Sequence, residues 1–98
     1  MTSKLVRDKI PELITASGIV PIIHTALDDE YHKALNAKLL EECNEYLESE
    51  KPEELADILE VLDAILISRG ISEEVDHIKI HKAKKSGTFI KKIILEIS

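Results

Sequence analysis

The placement of the helix-breaking residues constrains the fold of this chain more than any other feature. The sequence holds three glycines and three prolines, and they leave three long stretches without either residue: 28–49, 53–69 and 72–86. Uninterrupted stretches of this length are typical of α-helices. Pro52 suits the first position of the second helix, which is expected to run to Arg69. Gly70 and Gly87 suit the ends of the second and third helices, so the sequence predicts a mainly α-helical fold.

Three shorter segments complete this expectation. Pro11 favours a short helix over residues 11–17, because a proline at the first helical position loses no hydrogen bond. Residues 19–26 and 88–97 are rich in isoleucine, which favours extended segments. Pairing between these two segments would add a small β ribbon to the helices.

Apolar residues recur every three or four positions on the first two long helices, which predicts a buried stripe on each. The stripes comprise Tyr31, Leu35, Leu39, Cys43 and Tyr46 on the first helix, and Leu55, Ile58, Leu59, Leu62, Ile65 and Leu66 on the second. Because only a short turn at residues 49–51 separates the two helices, we expect an antiparallel hairpin. The third long helix is expected to pack against that hairpin.

Composition narrows the classes of function. The chain has 13 basic and 19 acidic side chains and a net charge of −6, which argues against a nucleic acid polymer as its partner. No apolar run approaches the roughly 20 residues of a membrane span, and no secretion signal is evident. Cys43 is the single cysteine, which fits a reducing cytoplasm. At 98 residues, we expect one domain over residues 1–98.

Two acidic pairs flank the turn of the predicted hairpin, Glu42 with Glu45 and Glu54 with Asp57. At about 100° per residue, each pair lies at the rim of the apolar stripe of its own helix. Residues equidistant from the turn of an antiparallel hairpin lie at the same height. Glu42 should therefore face Asp57, and Glu45 should face Glu54, which predicts a layer of carboxylates between the helices.

Such a layer needs neutralising charge. Two carboxylates 4 Å apart repel by roughly 4 kcal/mol at an effective dielectric constant of 20, whereas a whole domain is stable by about 5–15 kcal/mol. Clustered oxygen ligands favour a hard divalent cation, Mg²⁺ or Mn²⁺, over zinc. The alternative is that these acidic runs are ordinary solvated helix faces.

The pattern Glu41-Glu42-x-x-Glu45 followed by Glu54-x-x-Asp57 resembles the acidic signature of the MazG-like nucleoside triphosphate pyrophosphohydrolases. These belong to the superfamily that includes phosphoribosyl-ATP pyrophosphohydrolase. The sequences KLVRDKIPE at residues 4–12 and KKSGTF at residues 84–89 are similar to the two ends of a short, single-domain branch of that superfamily. The resemblance therefore extends over essentially the whole chain.

The spacing of the second motif leaves one alternative open. Eight residues separate Glu45 from Glu54, fewer than is usual between the two acidic motifs of the family. Glu60 and Asp63 as the second pair would restore a longer gap, but the helical wheel places both on the polar side of their helix. We retain Glu54 and Asp57, with Glu60 as the alternative ligand.

The resemblance implies metal-dependent hydrolysis of a nucleoside triphosphate between its α and β phosphates. The products would be the nucleoside monophosphate and pyrophosphate, a reaction suited to house-cleaning of nucleotide pools. The expected metal ligands are Glu42, Glu45, Glu54 and Asp57, and Glu41 is the candidate catalytic residue that positions or deprotonates the attacking water. Two alternatives are a non-catalytic helical interaction module and a nucleotide- or metal-binding sensor without turnover.

Phosphates also need basic partners. The candidates for substrate binding are Arg7, Lys9, Lys38, Lys82, Lys84 and Lys85. Lys38 is equally suited to a salt bridge with Glu42, four residues further on, and the last three lysines also fit the basic bias of a helix C-terminus. Because three long helices in so short a chain leave apolar surface uncovered, we expect a homodimer or homotetramer. Basic residues of one chain would then complete a site made by another.

Overall fold

A computed structural model of the chain describes residues 3–97, in which four α-helices follow one another. They are α1 (Ile10–Ala16), α2 (Asp28–Ser49), α3 (Pro52–Arg69) and α4 (Ser72–Ser86). The mainly α-helical prediction is confirmed, and α3 has the predicted bounds. None of the described helices combines the length and the apolar content that crossing a membrane requires.

The predicted β ribbon does not form among the described residues, because neither 19–26 nor 88–97 contains a strand. A ribbon of two strands is marginally stable without a third element, and Pro21 removes one backbone donor from the first segment. Both segments leave their apolar side chains in solvent. Ile22 is 99% exposed and Phe89 is 98% exposed.

Helices α2 and α3 form the predicted hairpin and make the most extensive helix–helix contact of the described chain. Glu50 ends α2 in a left-handed conformation with φ of 54°, and its N–H donates to the carbonyl of Tyr46 at 2.7 Å. The side chain of Ser49 then bridges the turn: its hydroxyl accepts from the N–H of Lys51 at 3.3 Å. This tight turn sets the relative height of the two helices.

The core of the hairpin is small. Leu35 of α2 and Val61 of α3 are the buried apolar residues of the described chain. The predicted stripe of α2 is buried or half-buried throughout. The prediction for α3 is wrong at Leu55, Leu59 and Leu62, which are exposed, because they lie roughly 100–160° around the helix from the Val61 side that faces α2.

The molecule is extended for its length. Its radius of gyration is 17.7 Å, whereas a folded domain of about 100 residues has a value near 13 Å. α4 contacts α3 but makes no comparable contact with α2 among the described residues. A large part of the apolar surface therefore has no partner within the described chain.

Candidate metal centre

Carboxylates of α2 and α3 come together at the predicted height of the hairpin, where Glu42 meets Asp57. Carboxylate oxygens of Glu42, Glu54 and Asp57 lie within 4.8 Å of one another, as do those of Glu41, Glu42 and Glu45. Glu42 belongs to both groups and so joins them. The hairpin thus brings Glu42 to Glu54 and Asp57. Glu45 lies with Glu41 and Glu42 of its own helix, so the predicted contact between Glu45 and Glu54 stays a prediction.

Glu42 is the buried carboxylate of this layer. It is only 6% exposed, which is rare for an ionisable side chain. Its Oε1 lies 3.4 Å from Nζ of Lys38, whereas its Oε2 is buried without a hydrogen-bond partner. A buried polar atom left unpaired costs about 1–3 kcal/mol, and more when the group is charged. The fold therefore favours a proton or a cation at Oε2.

The pKa values of the layer reflect these surroundings. Burial raises the pKa of Glu42 above its ordinary value, and the neighbouring Glu45 raises it further, while Lys38 opposes the rise. The pKa of Glu41 is lowered, chiefly by a hydrogen bond from Lys4, against the opposing effect of burial. Two adjacent glutamates of α2 thus differ in their affinity for a proton.

Residues 3–9, the segment before α1, lie across the hairpin and place two basic side chains against the carboxylates. Nζ of Lys4 lies 3.1 Å from Oε1 of Glu41, and Nη2 of Arg7 lies 2.7 Å from Oδ1 of Asp57. With Lys38, three basic side chains face the five carboxylates of the two groups. When all five are ionised, two negative charges remain, which is the charge that one divalent cation would balance.

A cavity of about 530 Å³ opens beside the layer, within the size range of small-molecule sites. Its lining combines charged residues of the layer with apolar residues, and includes Arg7, Lys9, Lys38, Glu42, Asp57, Glu60, Tyr31, Leu35 and Val61. Three of the predicted phosphate-binding residues are therefore next to the carboxylates. The other three, Lys82, Lys84 and Lys85, are exposed on α4 and do not line this cavity.

Two residues lie closer to the site than the sequence predicts. Glu60 lines the cavity rather than pointing to the far side of α3, although it is outside both carboxylate groups. Lys4 was not among the predicted site residues, yet it pairs with Glu41. One sequence feature could have pointed to Lys4 as a site residue. This lysine lies three residues before the predicted site residue Arg7, with the half-buried Leu5 between them.

The donor set fits a hard divalent cation. Every candidate ligand atom is a carboxylate oxygen, the donor type that Mg²⁺ and Mn²⁺ prefer. The unpaired Oε2 of Glu42 supplies an independent reason for a cation or a proton at this carboxylate. Asp57 stays partly exposed, with 37% of its side chain accessible, and it lines the cavity.

Part of the chain is similar to a bacterial protein. An uncharacterized protein of Mycolicibacterium smegmatis (strain ATCC 700084 / mc(2)155) is 63% identical over 43 residues. The match covers 44% of this chain and 44% of that protein, so it spans less than half the length of each. No protein-family model and no solved structure matches the chain.

We expect the Glu42 carboxylate to lower the Tm of the metal-free protein and to raise the Tm of the metal-bound protein. Glu42→Gln keeps the shape of the side chain but removes the buried charge, so we expect a higher Tm than wild type in EDTA at neutral pH. The same change should abolish the rise in Tm that Mg²⁺ or Mn²⁺ gives the wild type. Thermal unfolding measures both effects, with the exposed Glu48→Gln on the same helix as the control. A Glu42→Gln protein that keeps the full metal response would contradict the site.

The same residue predicts the pH dependence of the metal-free protein. Because folding raises the pKa of Glu42, its contribution to stability is fully present below the ordinary value of 4.5 and is lost as the pH rises through the folded value. The free energy of unfolding in EDTA should therefore fall as the pH rises above 4.5. Urea unfolding of Glu42→Gln should show a flatter profile over that window, and identical profiles for the two proteins would refute the assignment.

Proposed function

We propose that this chain is a MazG-like nucleoside triphosphate pyrophosphohydrolase that requires Mg²⁺ or Mn²⁺. It hydrolyses its substrate between the α and β phosphates and releases the nucleoside monophosphate and pyrophosphate, as in house-cleaning of nucleotide pools. The observation that carries the proposal is the buried, unpaired carboxylate oxygen of Glu42 beside a cavity lined by basic side chains. The resemblance of the acidic motifs and of both ends of the chain supports the same family.

The layer supplies the metal ligands in this proposal. Glu42 and Glu45 bind from α2, and Glu54 and Asp57 bind from α3. A bound divalent ion neutralises phosphate oxygens and lowers the pKa of a coordinated water. The protein holds its ligands on two helices joined by a tight turn, so their geometry is set before the substrate arrives.

The cavity is the proposed substrate site. Arg7, Lys9 and Lys38 line it and offer donors to phosphate oxygens, and the planar guanidinium of Arg7 is suited to two parallel hydrogen bonds. Tyr31 and Leu35 form part of its apolar wall, against which a base or a sugar can pack. Because the chain has few aromatic residues, this wall is largely aliphatic.

Glu41 is the proposed partner of the attacking water. The hydrogen bond from Lys4 lowers its pKa, so the carboxylate is ionised at neutral pH and can accept a hydrogen bond from water. A base of low pKa removes a proton less effectively than one whose pKa is near the working pH. Glu41 therefore acts mainly by orienting the water toward phosphorus.

A homodimer or homotetramer is the proposed working form. The accessible surface of one chain is 9181 Å², whereas a folded monomer of this mass exposes roughly 5,600 Å². Leu40 and Leu47 of α2 and Leu55 and Leu59 of α3 are exposed. Their rotation around the helix axes places them on the side of the hairpin away from Asp57. A second copy on that side would cover them and leave the carboxylate layer accessible.

The proposed reaction is tested by pyrophosphate release across a panel of canonical and modified nucleoside triphosphates with Mg²⁺. We expect release with at least one of them. Asp57→Asn should lower the rate by more than about 100-fold, since even outer-shell partners of a metal ligand contribute 10- to 100-fold. The exposed Asp63→Asn on the same helix is the matched control.

Four outcomes would count against this proposal. Full activity of Asp57→Asn, or orthophosphate as the product, would contradict the proposed reaction. Tight binding of metal and nucleotide without turnover would favour a sensor. A wild-type Tm that does not respond to EDTA or Mg²⁺ would favour a helical interaction module.

The proposed assembly is tested by the mass of the protein in solution. Light scattering on the eluate of a size-exclusion column should give two or four times the chain mass of 11.0 kDa. Leu59→Glu should shift the mass toward one chain, because a buried carboxylate at an apolar interface is unfavourable. The control is Glu48→Lys, an exposed charge reversal on α2 that lies about 80–100° around the helix from Leu40 and Leu47. A monomeric wild type would refute the assembly.

A further inference from the structure

A guanidinium group occupies one edge of the carboxylate layer. Nη2 of Arg7 donates to Oδ1 of Asp57 at 2.7 Å, and the charges of Glu42 and Glu60 also attract it. Asp57 is one of the three carboxylates that lie within 4.8 Å of one another. Arg7 therefore bonds to a carboxylate that the proposed metal ion also needs.

The pair between Arg7 and Asp57 is easily broken. The side chain of Arg7 is 57% exposed and that of Asp57 is 37% exposed, and ion pairs of that exposure contribute little to stability. A divalent cation on the same carboxylate would repel the guanidinium at short range, and that repulsion exceeds the small contribution of an exposed pair. Ion binding at the layer therefore favours release of Arg7.

The backbone at Arg7 is held by a hydrogen bond, whereas its side chain is more than half exposed. The carbonyl of Arg7 accepts a hydrogen bond from the N–H of Ile10 at 3.0 Å, which ties this residue to the start of α1. The side chain lines the same cavity as Lys9 and Lys38. A guanidinium that leaves Asp57 thus remains beside the proposed phosphate site.

We propose that Arg7 exchanges partners, from Asp57 in the metal-free protein to a phosphate of the nucleotide when the divalent ion is bound. This inference rests on the proposed function and adds a coupling to it. The ion releases the arginine that the nucleotide needs, and the nucleotide holds that arginine away from the ion. Each ligand therefore strengthens the binding of the other.

The competing arrangement makes a different prediction. Arg7 could stay on Oδ1 of Asp57 while the other carboxylate oxygen binds the ion, and it would then support the ligand as outer-shell partners do. Removal of Arg7 would in that case weaken ion binding. In the exchange, its removal strengthens ion binding, because Asp57 is released from a competing cation.

The first test observes the arginine in the unaltered protein. The chain contains two arginines, Arg7 and Arg69, so NMR can follow the rotation of each guanidinium about its Cζ–Nε bond, which an ion pair slows. We expect Mg²⁺ to speed the rotation of Arg7, and a nucleoside triphosphate analogue with a methylene bridge between the α and β phosphates to slow it again. Arg69, at the end of α3, serves as the internal control. Slower rotation of Arg7 with Mg²⁺ alone would overturn the exchange.

The second test measures the affinity for Mn²⁺ by calorimetry without nucleotide. Arg7→Ala should bind Mn²⁺ about two- to fivefold more tightly than wild type, the factor that corresponds to an exposed ion pair, whereas Arg69→Ala should match wild type. With Mn²⁺ present, Arg7→Ala should bind the same nucleotide analogue more weakly. Unchanged or weaker Mn²⁺ binding by Arg7→Ala overturns the exchange but leaves the metal centre standing. Absence of Mn²⁺ binding by the wild type overturns both.

Discussion

The burial of one carboxylate between two helices is the constraint on which the account of this protein depends. Glu42 lies beside a core whose buried apolar residues, in the described chain, are Leu35 and Val61. With so little apolar burial to offset it, an uncompensated charge at this position would remove a large part of the stability of the hairpin. The basic side chains around the layer reduce that penalty, and a divalent cation would balance what remains. In this proposal, stability and catalysis would depend on the same ion.

The two faces of the hairpin have different proposed roles. One face carries the carboxylates, the segment before α1 and the cavity. The other carries the exposed leucines Leu40, Leu47, Leu55 and Leu59. A second copy on the leucine face would rigidify α2 and α3 without blocking the cavity. That separation would let a chain with a minimal core of its own hold five carboxylates in a fixed arrangement.

Much of the fold could be predicted because its signals are local. The breaks at Pro52, Gly70 and Gly87 determine the helix ends, and the short turn implies that Glu42 meets Asp57. The exposed side of α3 could not be predicted in this way. Apolar residues occupy a broad arc of helix α3, and periodicity does not tell which part of that arc faces α2 and which part is left for another chain.

Contacts between residues that are far apart in the chain could not be predicted from the sequence either. Arg7 and Asp57 are 50 positions apart, and no helical or strand period relates them. From the sequence we predicted that Arg7 binds phosphate, but nothing in the sequence indicated that its guanidinium would pair with a carboxylate. The prediction of a β ribbon was wrong for a related reason. The isoleucines of 19–26 and 88–97 indicate extended chain, but they do not indicate which segment would pair with it.

The most direct measurement is anomalous diffraction from a crystal of the protein grown with Mn²⁺. We predict a manganese peak between α2 and α3, bonded to carboxylate oxygens of the proposed ligands Glu42, Glu45, Glu54 and Asp57. Manganese bound elsewhere on the chain, or a Glu42 carboxylate turned out into solvent with no ion between the helices, would contradict it.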